Sequence, residues 1–357
     1  MAHDIIPTQC SRRGFLSKSI AAGAGLGLAP MLTSADVTAD IADVPTIAAS
    51  RSNVALTHGN NRRDNIRKAL ELIGDEIRRD IGNRQVVIKP NCVTSRAQHQ
   101  LAVTHTDALR GIMDFLQPFY KKRVMIAENS ATKAADAYVN FGYPQLTDEY
   151  NVTLHDLDEF DTRNVHILDK HLRPHPIKVS ALVMNPTVYV MSVALMKVHN
   201  LVVATLAVKN IAMGAPVSGN REKVKMHQAV LGKEFRNRPR DPLFNKGINY
   251  NMFRMMHYVK PSLAIIDAFE GMERSGPIGG DMVPMHAAVA STDCIAADRV
   301  GVELMGLNFD EIGYLTYCAQ AHMGHGDMAK IDILGERIAA VKRPFKPHEI
   351  HAQQIVW

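Results

Sequence analysis

Five polar side chains crowd one apolar stretch of this 357-residue chain. Val188 to Leu195 is an apolar, β-branched run with almost no polar alternation, the pattern of a strand buried on both faces of a sheet. Lys197, His199 and Asn200 follow at once, and a second apolar segment, Leu201 to Val208, delivers Lys209 and Asn210. A lysine among other cations can have its pKa lowered enough to act as base or amine nucleophile. A histidine transfers protons near neutral pH. Ligands of open α/β sheets bind at the carboxyl ends of strands, which makes this strand-turn-helix unit a candidate site. The plainer alternative is that Lys197 and Lys209 are solvated ends of buried elements.

The pattern recurs four times. Gln85 to Ile88 runs into Lys89-Pro90-Asn91, Val124 to Ala127 into Glu128-Asn129-Ser130, and Leu263 to Ile266 into Asp267, Glu270 and Glu273. Ala287 to Ala290 runs into Ser291-Thr292-Asp293. If these strands are parallel neighbours, their ends converge on one sheet edge. Charges gathered there would have to pair with each other, a metal or a substrate, because unpaired burial is costly.

The elements around them follow a β-α-β rhythm. Asp64 to Ile81 has helical apolar spacing at Ile66, Ala69, Leu70, Ile73 and Ile77. The strand at 85–89 follows, then a helix reaching about Gln117 with Thr106 or Asp107 as its cap, then the strand after Lys121-Lys122-Arg123. Ala134 to Tyr150 reads as one or two helices, and 164–185 as a hairpin or edge excursion whose His166, His171 and His175 match no metal spacing. A helix near Ile248 to Tyr258 and a strand-helix unit from Ala287 to Met305 complete the series. The expected class is α/β: a mostly parallel central sheet with crossover helices on both faces, in one domain over 40–357 or two closely packed halves. Residues 219–246, with eight basic and three acidic side chains, form an expected basic insertion containing Met226-His227. His322, His325 and Asp327 make a short HxxHxD cluster on a glycine-rich turn.

Ser11-Arg12-Arg13-Gly14-Phe15-Leu16-Ser17-Lys18, followed by a weakly apolar Gly/Ala-rich run, resembles a twin-arginine signal peptide. The run is too short and too rich in glycine and alanine for a membrane anchor. The leader is expected to span residues 1–39, with cleavage after Ala35 or Ala39. The resemblance implies handling by the twin-arginine translocation machinery, export in the folded state, a periplasmic or extracellular destination and no membrane anchor after cleavage. Its removal takes the formal net charge from +5 to about +4, too little and too dispersed to suggest a nucleic-acid partner. Cys10 lies in the leader, leaving Cys92, Cys294 and Cys318 without a CxxC pair. No ferredoxin-type cluster motif is present, so no iron-sulfur cluster is expected, and spacing does not decide whether two of the three pair.

The ordered motifs KPN at 89–91, Thr104-His105, MKVHN with VKN across 196–210, IID at 265–267, ME-x-x-GP-x-x-G at 272–280 and ST-D-x-x-A-x-D at 291–298 resemble the domain of unknown function 362 family over roughly Val86 to Leu307. Thr106 and Ala268 stand where members often carry proline and glycine. The resemblance implies a fold and site positions rather than a reaction.

Three functional readings fit these residues. In the first, an enzyme acts on a small anionic substrate. Lys197, His199 and Lys209 are its catalytic candidates, and Lys89, Asn91, His105, Asn210 and Gly276 contact the substrate. Glu128, Asp267 and Glu273 are candidate ligands for a divalent metal. In the second, the same groups only capture a ligand or metal in the periplasm. In the third, the chain is a cofactor-bearing redox partner. For individual residues, Asn91 and Asn210 capping helices and Asp293 and Asp298 satisfying backbone amides remain alternatives.

Overall fold

The computed structural model describes residues 51–130, 133–169, 171–218, 222, 225, 226 and 242–357. The expected leader, His227 and most of the basic insertion lie outside them. The strands are β1 (Ser52–His58), β2 (Gln85–Lys89), β3 (Val124–Glu128), β4 (Val152–Asp156), β5 (Thr162–Leu168), β6 (Pro174–Ser180), β7 (Val188–His199), β8 (Val203–Thr205), β9 (Leu263–Glu273), β10 (Asp281–Ser291) and β11 (Ile331–Gly335). Apart from the β5–β6 hairpin, they form a nine-stranded sheet in the order β11-β1-β10-β9-β7-β2-β3-β4, with β8 folded back on β7.

From β9 through β7, β2 and β3 to β4, every neighbouring pair is parallel. Strand alternation explains why β7 is apolar up to Leu195 apart from Ser192. Tyr189, Met191 and Val193 join the core on one face, while Val188, Val190 and Ala194 join the core on the other. Packed on the first face are α1 (Arg62–Leu72), α2 (Gly74–Ile81) and α3 (Thr106–Leu116), whose apolar spacing buries Ile66, Ala69, Leu70, Ile77 and Leu109. α4 (Ala134–Asn140) and α5 (Gln145–Glu149) adjoin the β4 end. The second face carries α6 (Ala207–Gly214), α7 (Pro242–Val259), α8 (Cys294–Met305) and α9 (Gly313–Gln320). This is the expected α/β class with helices on both faces.

Four details differ from the sequence reading. The central strand β7 continues to His199, so Lys197 and His199 lie within it rather than after it. Leu201 to Val208 is a turn, the short β8 and the start of α6. α7 begins at Pro242, inside the stretch read as insertion. Finally, β10 is antiparallel to β9, so Ser291-Thr292-Asp293 emerges at the opposite sheet edge from Lys89, Glu128 and Asp267. There Asp293 accepts hydrogen bonds from the amides of Ile295 and Ala296 at the start of α8 and from the Ser52 hydroxyl. It is a helix cap.

Candidate functional site

Three parallel strands deliver two lysines and one carboxylate to a single buried cluster, and α6 adds a third lysine. Lys89 ends β2 and Glu128 ends its neighbour β3, and their side chains meet at 2.9 Å with both almost fully buried. Glu128 also accepts the Cys92 amide at 3.1 Å and the Asn129 amide at 2.9 Å, which holds its charge in place. Lys89 Nζ further donates to the Pro90 carbonyl and to Asn210 Oδ1. Its side chain lies over Gly214 so closely that a Cβ there would overlap its end.

Two asparagines tie the cluster together. Asn210 Oδ1 accepts from Lys89 and from Asn91 Nδ2, and its Nδ2 donates to Ser192 Oγ at 3.0 Å and to the Lys89 carbonyl. Asn91 Oδ1 accepts from Lys197 Nζ at 2.7 Å. Asn91 is itself held by Thr104, whose hydroxyl accepts its amide and donates to the Val193 carbonyl. Asn91 and Asn210 are therefore cross-braces between strands, not helix caps.

Lys197 and Lys209 are buried, and among the described residues neither has a carboxylate partner. Among the described residues, Lys197 bonds only to Asn91, and Lys209 makes no hydrogen bond or ion pair. Burial pushes Lys197 down to about 7, and the nearby Lys209 charge adds to the effect. Burial and the Lys89 charge push Lys209 down to about 7. Lys209 sits in the first turn of α6, whose leading amides, at Ala207 and Val208, donate to the two oxygens of the fully buried Asp298 at 2.8 and 2.9 Å. Burial raises the Asp298 carboxyl to about 8, against those two amide bonds.

A second cluster stands at the same edge. Asp267, on β9 opposite Leu195 of β7, receives Arg62 Nε at 3.2 Å and the Phe269 amide at 3.1 Å. Its Oδ2 is buried and lacks a hydrogen bond. Burial raises the Asp267 carboxyl against the pull of Arg62. Arg62 also binds Glu270 at 2.6 Å and stacks over Phe269. His105 caps α3, its Nδ1 accepting the Asp107 amide at 3.1 Å, in place of the Thr106 or Asp107 cap expected from sequence. Burial, then Arg62, lowers its pKa. Because Thr104 pairs with Asn91, His105 adjoins the brace of the lysine cluster.

The remaining sequence candidates take other positions. His199 lies two residues beyond Lys197 on β7, with Nδ1 accepting the Leu201 amide at 2.9 Å, which leaves Nε2 to carry the proton of the neutral ring. Gly276 packs against the Val198 carbonyl, where no side chain would fit. Glu273 accepts the Lys346 amide at 2.8 Å. Glu128, Asp267 and Glu273 thus engage Lys89, Arg62 and Lys346 separately. Among the described residues no group of three or more His, Cys, Asp or Glu side chains is placed to hold a metal. His322, His325 and Asp327 line an open cleft of about 340 Å³ with Asp310 and Lys330. Cys92, Cys294 and Cys318 are buried, and none of them forms a disulfide among the described residues. Sequence reasoning missed Arg62, whose partners are more than 200 residues away.

The family model described as Domain of unknown function (DUF362) matches residues 86–303, which include all three lysines. No curated protein matches the chain. Among solved structures, the crystal structure of a Thermotoga maritima protein from a structural genomics consortium is similar at 14% identity and a TM-score of 0.42. The likeness covers 66% of this chain and 57% of that one, so the match spans little more than half of that protein's length.

Proposed function

The chain belongs to the Domain of unknown function (DUF362) family, and from the lysine cluster in its matched segment we propose that it is an enzyme acting on a small anionic substrate. The observation that carries this reading is the burial of Lys197 and Lys209 without a carboxylate partner among the described residues. Two such ammonium groups cost folding free energy that a bound anion would offset. Their pKa values near 7 also suit groups that exchange protons at neutral pH. In this reading Lys89, fixed by Glu128, and the amides of Asn91 and Asn210 orient the anion. Lys197 and Lys209 supply its charge partner and the proton-transferring amine.

Thermal shift of the full chain against phosphate, sulfate, oxalate and short dicarboxylates tests the site. At least one anion should raise the melting temperature, and Lys197→Met and Lys209→Met should each remove that response while remaining folded. An undiminished response in both variants would overturn the reading. The Arg12-Arg13 motif supports export as part of the same proposal. Fused to a reporter, residues 1–39 should direct translocation, and Arg12→Lys with Arg13→Lys should stop it.

A further inference from the structure

The three lysines are not equivalent. Lys89 is held by Glu128, Asn210 and the Pro90 carbonyl, and Lys197 is held by Asn91 and has no exposed surface. Lys209 has neither a hydrogen bond nor an ion pair among the described residues, and it retains 9% exposure. An amine that is unanchored, partly accessible and crowded by two other cations is disposed to lose its proton and to present a lone pair. The cluster around it, Lys89 with its partner Glu128, Lys197, and the carboxamides of Asn91 and Asn210, carries a net positive charge that a carboxylate matches.

We infer that Lys209, which alone of the three lysines keeps more than 1% exposure, forms an imine with a 2-oxo acid, the carbonyl carbon of the acid meeting Lys209 Nζ and its carboxylate lying in the positive field of the cluster. The inference rests on the anionic-substrate reading above and names the substrate class. The neutral amine attacks the carbonyl carbon, forming the C–N bond, and the carbonyl π pair moves to oxygen, which takes a proton. After a second protonation that oxygen leaves as water, while nitrogen gives up a proton and its lone pair closes the C=N bond. Overall, one ammonium and one carbonyl become one iminium and one water, with no oxidant or reductant. Lys197, also pushed down to about 7, is placed to lend and recover the protons.

The test uses the full chain with glyoxylate, pyruvate and 2-oxoglutarate, with and without sodium borohydride, followed by peptide mapping by mass spectrometry. Lactate and oxalate, which have no aldehyde or ketone carbonyl, serve as controls in thermal shift. A reduced adduct of near-unit stoichiometry on the Lys209 peptide from at least one oxo acid supports the inference. In Lys209→Met that adduct should be absent, and mapping of the wild-type chain decides the question even if the variant does not fold. Stabilisation by the acids and controls alike, with nothing trapped, would overturn the imine and leave the anion site standing. No stabilisation and no adduct would overturn both. An adduct spread evenly over surface lysines would also overturn the imine.

Discussion

Lys197 Nζ donates to Asn91 Oδ1 at 2.7 Å, across 106 positions of sequence, and among the described residues that is the one hydrogen bond of a fully buried ammonium. Asn91 does not move freely to meet it. Its amide is held by Thr104 and its Nδ2 by Asn210, so a neutral acceptor is fixed where a carboxylate would ordinarily stand. A neutral acceptor orients the lysine without neutralising it.

The first consequence concerns pH. Both Lys197 and Lys209 titrate near 7 in the folded protein and near 10.5 as ordinary lysines. Between those values the unfolded chain binds more protons than the folded one, so stability rises with pH across that window, by up to about 1.4 kcal/mol per pH unit for each lysine. Below about 7 the destabilisation is fully present. Urea denaturation should show the wild type gaining stability from pH 7 toward pH 10 relative to Lys209→Met, in which half of this slope is gone. Equal slopes in the two proteins would mean that Lys209 keeps an ordinary pKa.

A second expectation concerns the ion pair that neutralises the third lysine. Glu128→Gln strands Lys89 as a buried cation, and Lys89→Met strands Glu128, at a cost on the order of 3–5 kcal/mol each. Removing both should cost less than the sum by roughly 2 kcal/mol, read as the coupling in a double-mutant cycle followed by urea denaturation. A coupling near zero would mean that the 2.9 Å pair is not formed in solution.

What was legible in the sequence were the places where an apolar run stops. Lys89, Glu128 and Asp267 end runs of strand length, and parallel pairing brings all three to one edge. The run Ala287 to Ala290 looks the same whichever way its strand points, so nothing local told that β10 is antiparallel and Asp293 remote. β1 and β11 went unread because their apolar runs are short and take their meaning from pairing with each other. The candidate site was legible as a set of residues but not as partnerships. Lys89 and Glu128 were read separately, Arg62 carried no local signal, and whether the carboxylates share a ligand depends on which cation tertiary packing sets beside each.

Arg62 and Asp267 supply a third test. Arg62→Met leaves Asp267 buried with its one remaining acceptor bond from Phe269, so it should destabilise by about 3 kcal/mol at pH 8. Asp267 already has a raised pKa from burial, and losing Arg62 raises it further. A raised carboxyl penalises folding only above its ordinary range near 3.8, as the charge must form. The cost of Arg62→Met should therefore shrink at pH 5, and Asp267→Asn in the same chain should restore stability at pH 8. A cost independent of pH would show that Arg62 acts through its stacking on Phe269 instead.

Asp298 makes the last prediction, because it acts on the site without touching a lysine. Its two oxygens take the amides of Ala207 and Val208 and so set where α6 begins. Lys209 and Asn210 follow within the next two residues. Asp298→Ala leaves two buried amides without acceptors, at a cost of roughly 2–4 kcal/mol, and frees the first turn to shift. Asp298→Asn keeps one acceptor oxygen and should recover part of the loss. If α6 is the positioning element for the lysine cluster, Asp298→Ala should reduce the anion-induced thermal shift at least tenfold in apparent affinity, and Asp298→Asn should restore much of it. Isothermal titration with the most stabilising anion measures both variants. Unchanged affinity in a destabilised Asp298→Ala protein would assign the carboxylate to stability alone and leave Lys209 positioned by the rest of α6.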